Sequence, residues 1–269
     1  MSVFPKGLEP VSDLEPAAWV HEALRGWPPD RFRVRDLVPR VFEAYARLLH
    51  ETRNGDRGRP RWGTWAERAA AFRRELRPET TWWDLLGVDP YDGGTDPPAP
   101  VEGSLSEREV ASICPLLEEV TPDPGACWFG LWSGFGFLTP GGSRYLRVLR
   151  GPEALCDRWA MWRIRRAERK ADREAEWALA ALATFDLLGQ SGRSYLLIKG
   201  AVSDATRFSF DGSFQSPTLW WPDDRSWFVH TEIDSTSTYL GGPRVFVDRL
   251  VGEHILGSFE VEPDTLAAV

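Results

Sequence analysis

The clearest periodic signal in the chain lies over residues 227–234. Trp227, Val229, Thr231 and Ile233 fall on one side of an extended segment, and Phe228, His230, Glu232 and Asp234 on the other. That alternation predicts a strand. Residues 127–138 form an apolar run broken by Gly130, Gly134 and Gly136, which reads as a strand entering a loosened turn. Residues 145–149, 194–198 and 256–261 read as further strands, and residues 33–38 as a short extended run before Pro39. Phe208 to Phe214 has Asp211-Gly212 at its centre, the dipeptide that closes a two-residue hairpin.

Other segments carry the helical spacing of three and four. Ser12 or Asp13 caps a short helix through Pro16, Trp19, Val20, Ala23 and Leu24, stopped by Gly26-Trp27-Pro28-Pro29. Val41, Ala44, Tyr45, Leu48 and Leu49 form a second helical stripe. A helix is predicted over 64–76, with Trp65, Ala69 and Phe72 on one face. A shorter one, 82–86, is opened by Thr80 or Thr81 and closed at Gly87. Ser106 followed by Glu109 is a capping box for a helix over 107–119. The longest predicted helix is 152–188, with a narrow Ala-rich seam of Ile164, Ala167, Ala171, Ala175, Ala178, Leu182 and Phe185. A terminal helix is predicted over 245–251.

These elements predict an α+β protein: a mixed or antiparallel sheet, helices packed on it and one long helix. Residues 88–103, with Gly93-Gly94 and Pro97-Pro98-Ala99-Pro100, form a turn-rich connector. They divide a mostly helical region, 1–98, from an α+β region, 99–269, or form a loop within one domain.

Composition adds one departure from the ordinary: fourteen tryptophans against five tyrosines. So many indoles imply a firm core or an aromatic groove, since each brings a large apolar area and one N–H that needs a partner. Trp128, Trp132, Trp220 and Trp227 are expected to be buried near one another. The net charge of −8 disfavours nucleic acid as a partner, although Arg163 to Arg169 are locally basic among interleaved acids. Cys114, Cys127 and Cys156 have neither metal spacing nor the even count of a disulfide framework. No apolar run is long enough to span a membrane and no leader pattern opens the chain, so a cytoplasmic location is expected.

Candidate chemistry concentrates in residues 220–234. There Trp220, Trp221, Asp223, Asp224, Arg225, His230, Glu232 and Asp234 crowd together. His230, Glu232 and Asp234 on one strand face have the spacing of a divalent-metal site or of a base beside its orienting carboxylate. The same period is what a solvated strand face shows, and no metal or cofactor is expected. Pro222-Asp223-Asp224 predicts an Asx-type turn. Arg225 is expected to reach Asp223, Glu232 or Asp234, either lining a polar pocket with Trp220 and Trp221 or fixing the turn as an ion pair. Trp128 and Trp132, with their glycines, supply an aromatic wall. His21 and His50 stand alone and read as capping or core residues. No nucleophile elbow, phosphate loop or zinc-protease helix is present in the sequence, so no catalytic residue is assigned.

Several stretches resemble an uncharacterised actinobacterial protein family. They are residues 38–50, beginning Val38-Pro39-Arg40, then Cys127-Trp128-Phe129-Gly130-Leu131-Trp132-Ser133-Gly134-Phe135-Gly136, and Leu219-Trp220-Trp221-Pro222-Asp223-Asp224-Arg225. Thr231-Glu232-Ile233-Asp234 and Thr238-Tyr239-Leu240-Gly241-Gly242 continue the pattern, on which the 152–188 helix is an elaboration. The resemblance implies no activity. An acidic, Trp-rich chain without catalytic machinery is expected to be a non-catalytic interaction protein, of the immunity or regulatory kind, with a protein partner. The seam of 152–188 is expected to pack on another helix or on a second copy in a homodimer. The alternative is a small-molecule enzyme with its site at Arg225, His230, Glu232 and Asp234.

Overall fold

A computed structural model describes residues 4–24, 31–52, 64–87, 100–138, 182–187, 193–210, 212–252 and 257–268. Its centre is an eight-stranded sheet whose paired strands all run antiparallel. The strands are β1 (Ala44–Leu49), β2 (Cys127–Trp132), β3 (Thr184–Asp186), β4 (Ser194–Gly200), β7 (Leu219–Pro222), β8 (Phe228–Thr231), β9 (Ser237–Gly242) and β10 (Ser258–Val261). Their order is β10-β1-β9-β8-β7-β2-β4-β3, and a two-residue hairpin, β5 (Ser209–Phe210) with β6 (Ser213–Phe214), stands apart. The α+β expectation holds, with the sheet antiparallel.

Both faces of the sheet are covered. On one face Ala44, Ala46, Leu48, Phe129, Leu131, Trp220, Val229 and Leu240 meet α5 (Glu107–Glu119) and α6 (Arg244–Gly252). α5 begins as its capping box predicts: Ser106 Oγ accepts the Glu109 N–H, and Glu109 accepts the Ser106 N–H. The other face carries Tyr45, Trp128, Leu197, Leu219, Trp221, Phe228 and Tyr239. It packs on α1 (Ala18–Ala23), on α2 (Val34–Leu37) and on neighbouring residues. A satellite cluster of Leu49, Trp65, Ala69, Trp82 and Leu85 lies under α3 (Trp65–Phe72) and α4 (Trp82–Leu86), whose N-caps are Thr64 and Thr81.

Four sequence expectations are corrected. The helical stripe over 41–49 is strand β1, all six of whose residues are buried. A strand covered on both faces is apolar at nearly every position, so it satisfies a helical template as readily as its own. The run over 33–38 is a single helical turn, α2, with Asp36 accepting the Arg33 N–H. The helix predicted over 64–76 stops at Phe72, because Arg73 takes a left-handed conformation. The long helix over 152–188 does not reach its expected end, because residues 184–186 pair with β4 as strand β3. Residues 152–181 lie outside the described residues, as do the connector 88–99, the strand expected over 145–149 and most of the Ala-rich seam.

β1, from the N-terminal region, lies between β9 and β10, so strands from both parts of the chain share the sheet. No helix among the described residues is long and apolar enough to cross a membrane.

Candidate functional site

The register of the sheet sets out one row of side chains on the α2-covered face. Arg47 lies opposite Tyr239, Tyr239 opposite His230, His230 opposite Leu219, and Leu219 opposite Gly130. The row is buried throughout its polar part: Arg47, Tyr239 and His230 are each 2% exposed or less. A solvated polar strand face was the simplest expectation for His230 and Glu232. Both are instead interior.

His230 is held by the end of α2. A helix leaves its last carbonyls without internal partners, and Leu37 O lies 2.7 Å from His230 Nδ1. A carbonyl only accepts, so Nδ1 carries the proton and Nε2 presents a bare lone pair, which has no partner among the described residues. Burial, aided by the nearby Arg193 charge and opposed by the Leu37 bond, pushes the imidazole pKa down to about 4. The ring is therefore neutral at physiological pH.

Two residues along β8 from His230, Glu232 meets a cation that the sequence did not advertise. Arg193 Nη2 lies 2.8 Å from Glu232 Oε1 and 2.7 Å from Asp234 Oδ2. Its guanidinium stands 5.7 Å from the centre of the Trp132 ring. Glu232 also accepts the Asp234 N–H at 2.7 Å, which fixes the turn that follows β8. Burial pushes the Glu232 carboxyl up, against the pull of that N–H and of Arg193. Glu232 is 4% exposed and Asp234 73%, so the cluster runs from the interior to the surface. No spacing in the sequence points to Arg193, which precedes its strand in a Gly192-Arg193-Ser194 segment of ordinary composition.

The remaining candidates gather at the other end of the same face. Trp128 Nε1 donates to Asp223 Oδ1 at 2.8 Å, and the Lys199 ammonium sits 4.9 Å from the centre of the Trp128 ring. Asp224 Oδ1 accepts from the Ser226 N–H and hydroxyl, the expected Asx turn. Arg225 forms no ion pair with Asp223, Glu232 or Asp234. It adopts a left-handed conformation, with φ of 59°, and lies 5.5 Å from the centre of the Trp19 ring. Trp19 in turn meets Trp221 and Phe228. The structure thus brings Trp132, His230, Glu232 and Asp234 together at one end and Trp128, Trp221, Asp223, Asp224 and Arg225 at the other. Trp220 points to the opposite face, where it meets Trp227 at 6.2 Å. The four tryptophans expected as one cluster are divided between the faces: Trp220 and Trp227 meet on one, and Trp128 and Trp132 stand at opposite ends of the other.

The opposite face carries a second polar network at the same end as Glu232. His50, read from sequence as isolated, is fully buried. Its Nδ1 lies 2.6 Å from Val101 O, and its Nε2 lies 2.9 Å from Thr238 Oγ1, which is 2.6 Å from Thr231 Oγ1. Burial pushes His50 down to about 4 as well. Nearby, Glu109 accepts the N–H of Glu51 at 2.9 Å, and burial pushes its carboxyl up to about 7. His21 Nδ1 lies 2.8 Å from Asp186 O. Among the described residues no group of three His, Cys, Asp or Glu is placed to hold a metal ion. Cys114 and Cys127 are free and buried, and burial raises both thiols, Cys114 to about 12. No protein-family model, curated protein or solved structure matches the chain.

Proposed function

We propose that this chain is a non-catalytic binding protein of the immunity or regulatory kind. It acts in the cytoplasm and recognises a protein partner with the sheet end formed by Trp132, Arg193 and Asp234. The observation that supports this reading is the Arg193 bridge. One guanidinium, stacked on a half-buried tryptophan, joins a buried glutamate to an exposed aspartate. Arginine and tryptophan are the residues that most often carry binding energy at protein interfaces. Here both are ordered before any partner arrives, which lowers the entropy lost on binding. The acidic chain and the exposed Asp234 carboxylate suit a partner with a basic surface.

The titratable groups beneath this rim serve the fold. Glu232 is engaged by Arg193 and the Asp234 N–H, His230 by Leu37 O, and His50 by Val101 O and Thr238. Affinity purification from the native host with wild-type and Asp234→Arg protein tests the reading. One basic partner should be enriched by the wild type and lost with the variant, while both proteins unfold at similar temperatures. Equal capture by Asp234→Arg would remove this rim from the interface. A turnover abolished by His230→Gln in the folded protein would replace the reading with the enzymatic one.

A further inference from the structure

A second candidate site lies away from that rim, between β1 and the α3–α4 pair. Arg47 projects from β1 with no exposed surface. Its Nε donates to Ser237 Oγ at 2.9 Å, and its Nη1 donates to Pro78 O at 2.7 Å and Thr80 O at 2.8 Å. Nη2, also buried, has no acceptor among the described residues. Arg47 makes no ion pair with any described carboxylate. Glu79 acts on it only through its field. A second donor is in the same condition: Trp82, fully buried in α4, has an Nε1–H without an acceptor among the described residues.

The two donors share one neighbour. The Arg47 guanidinium is 5.6 Å from the centre of the Trp65 ring, and the Trp82 ring is 5.0 Å from it, edge to face. The Trp65 indole itself is satisfied, donating to His50 O at 3.0 Å. Around Trp65, then, stand a cation in ion-pair contact with no described carboxylate and an indole N–H with no described acceptor. Buried charges are ordinarily paired, and an orphaned buried donor ordinarily marks a water or an ion. A water would meet a hydrogen bond but leave the charge. An anion meets both.

We propose that Arg47 Nη2 and Trp82 Nε1 are the donors of an anion site beside Trp65 that takes a small carboxylate. With Nε and Nη1 occupied, the arginine has only Nη2 to offer. It therefore contacts a single oxygen rather than gripping two in a fork. Trp65, the neighbour of both donors, belongs to the apolar cluster of Leu49, Ala69 and Leu85, surroundings that suit a carboxylate with a short apolar body over a fully hydrated phosphate.

The probes are acetate and formate, titrated at constant ionic strength against chloride, with inorganic phosphate as a separate arm. In protein labelled with ¹⁵N-tryptophan, the indole resonance that disappears in Trp82→Phe should shift saturably with acetate. The Trp65 resonance, already hydrogen-bonded, should move less. Trp82→Phe keeps the ring and removes one donor, so its acetate affinity by calorimetry should fall about tenfold, the worth of one good hydrogen bond. The unfolding temperature of the wild type should rise with acetate over chloride, as for any ligand that binds only the folded state. No saturable shift, or equal affinity in Trp82→Phe, would overturn the site. A response to phosphate without one to acetate would overturn the carboxylate assignment. Water alone at Arg47 Nη2, in crystals grown in formate, would assign the donors to solvent. None of these outcomes bears on the rim at Asp234.

Discussion

Trp227 donates its indole N–H to Thr121 Oγ1 at 2.7 Å, and Thr121 passes the bond on to Leu117 O in the last turn of α5. One side chain just before β8 thereby fastens the helix that covers the sheet. Trp227 is fully buried. Trp227→Ala should cost on the order of 3–5 kcal/mol, the range for truncating a buried aromatic. Trp227→Phe should cost less, but should leave the Thr121 hydroxyl without its donor. Denaturant unfolding of both variants checks the order, and an unchanged midpoint for Trp227→Ala would take this residue out of the core.

Arg193 and Glu232 form a largely buried pair, whereas Asp234 is mostly in water. Removing one member of a buried pair strands the other charge. Arg193→Ala should therefore cost on the order of 3 kcal/mol, and Asp234→Ala less than about 1 kcal/mol. The double variant Arg193→Ala with Glu232→Ala should be more stable than the two single losses added together. Strict additivity in that cycle would mean that the two groups do not interact.

The two buried histidines set an acid limit. Each has a folded pKa near 4, against about 6.5 when unfolded. Between those values the unfolded chain binds more protons, so their contribution is complete above about pH 6.5. It is lost as pH falls towards 4, by on the order of 3 kcal/mol for each ring. His230→Asn keeps a donor for Leu37 O without the titration. Its unfolding temperature should decline less than that of the wild type between pH 6.5 and 4.

Glu109 acts in the opposite sense. Its folded pKa is raised to about 7 from 4.5. The folded state therefore holds its proton longer, and the contribution is complete below about pH 4.5 and lost as pH rises through 7. In Glu109→Gln the titration is gone. The stability difference, wild type minus variant, should shrink as pH rises from 4.5 to 7. A difference that grows over that window would mean the carboxylate is better solvated than its burial implies.

Gly103 has a φ of 66°, and a Cβ there would strike the carbonyl of Ile233. Its N–H and C=O are already bonded to Ser235 O and Gln215 Nε2. Gly103→Ala should cost on the order of 3 kcal/mol, from left-handed strain and the clash together. Gly212, with a φ of 78° but open space around it, should lose only about 1 kcal/mol on the same change. Equal losses at the two glycines would show that the backbone alone decides.

Elements with a local signature were legible in the sequence. The Ser106–Glu109 capping box placed the start of α5, and Gly87 the end of α4, whose cap, Thr80 or Thr81 by sequence, is Thr81. The glycines closed the turns, and the alternation over 227–234 placed β8. β1 was misread because burial on both faces erases the period that distinguishes a strand. The site was half legible. His230, Glu232 and Asp234 were placed on one face by their spacing. The cation that holds the carboxylates was assigned to Arg225, near in sequence, when it is Arg193, brought in by the β2–β4 pairing. Arg47, central to the second site, sits in an apolar stripe where a charge usually marks the exposed side. Only the register against Tyr239 shows that it faces inward.

The placing of β1 between β9 and β10 has a consequence for how the chain is made. Arg47 and Ser237, which bond across β1 and β9, are 190 residues apart. On the ribosome, β1 emerges early and has neither neighbour until nearly the whole chain has followed. Its six residues, Arg47 among them and all buried in the finished sheet, stay exposed to other nascent chains throughout. Such distant pairing slows folding and lengthens the time at risk of aggregation. Translation rate and chaperone supply should therefore govern the yield of this protein more than its final stability does.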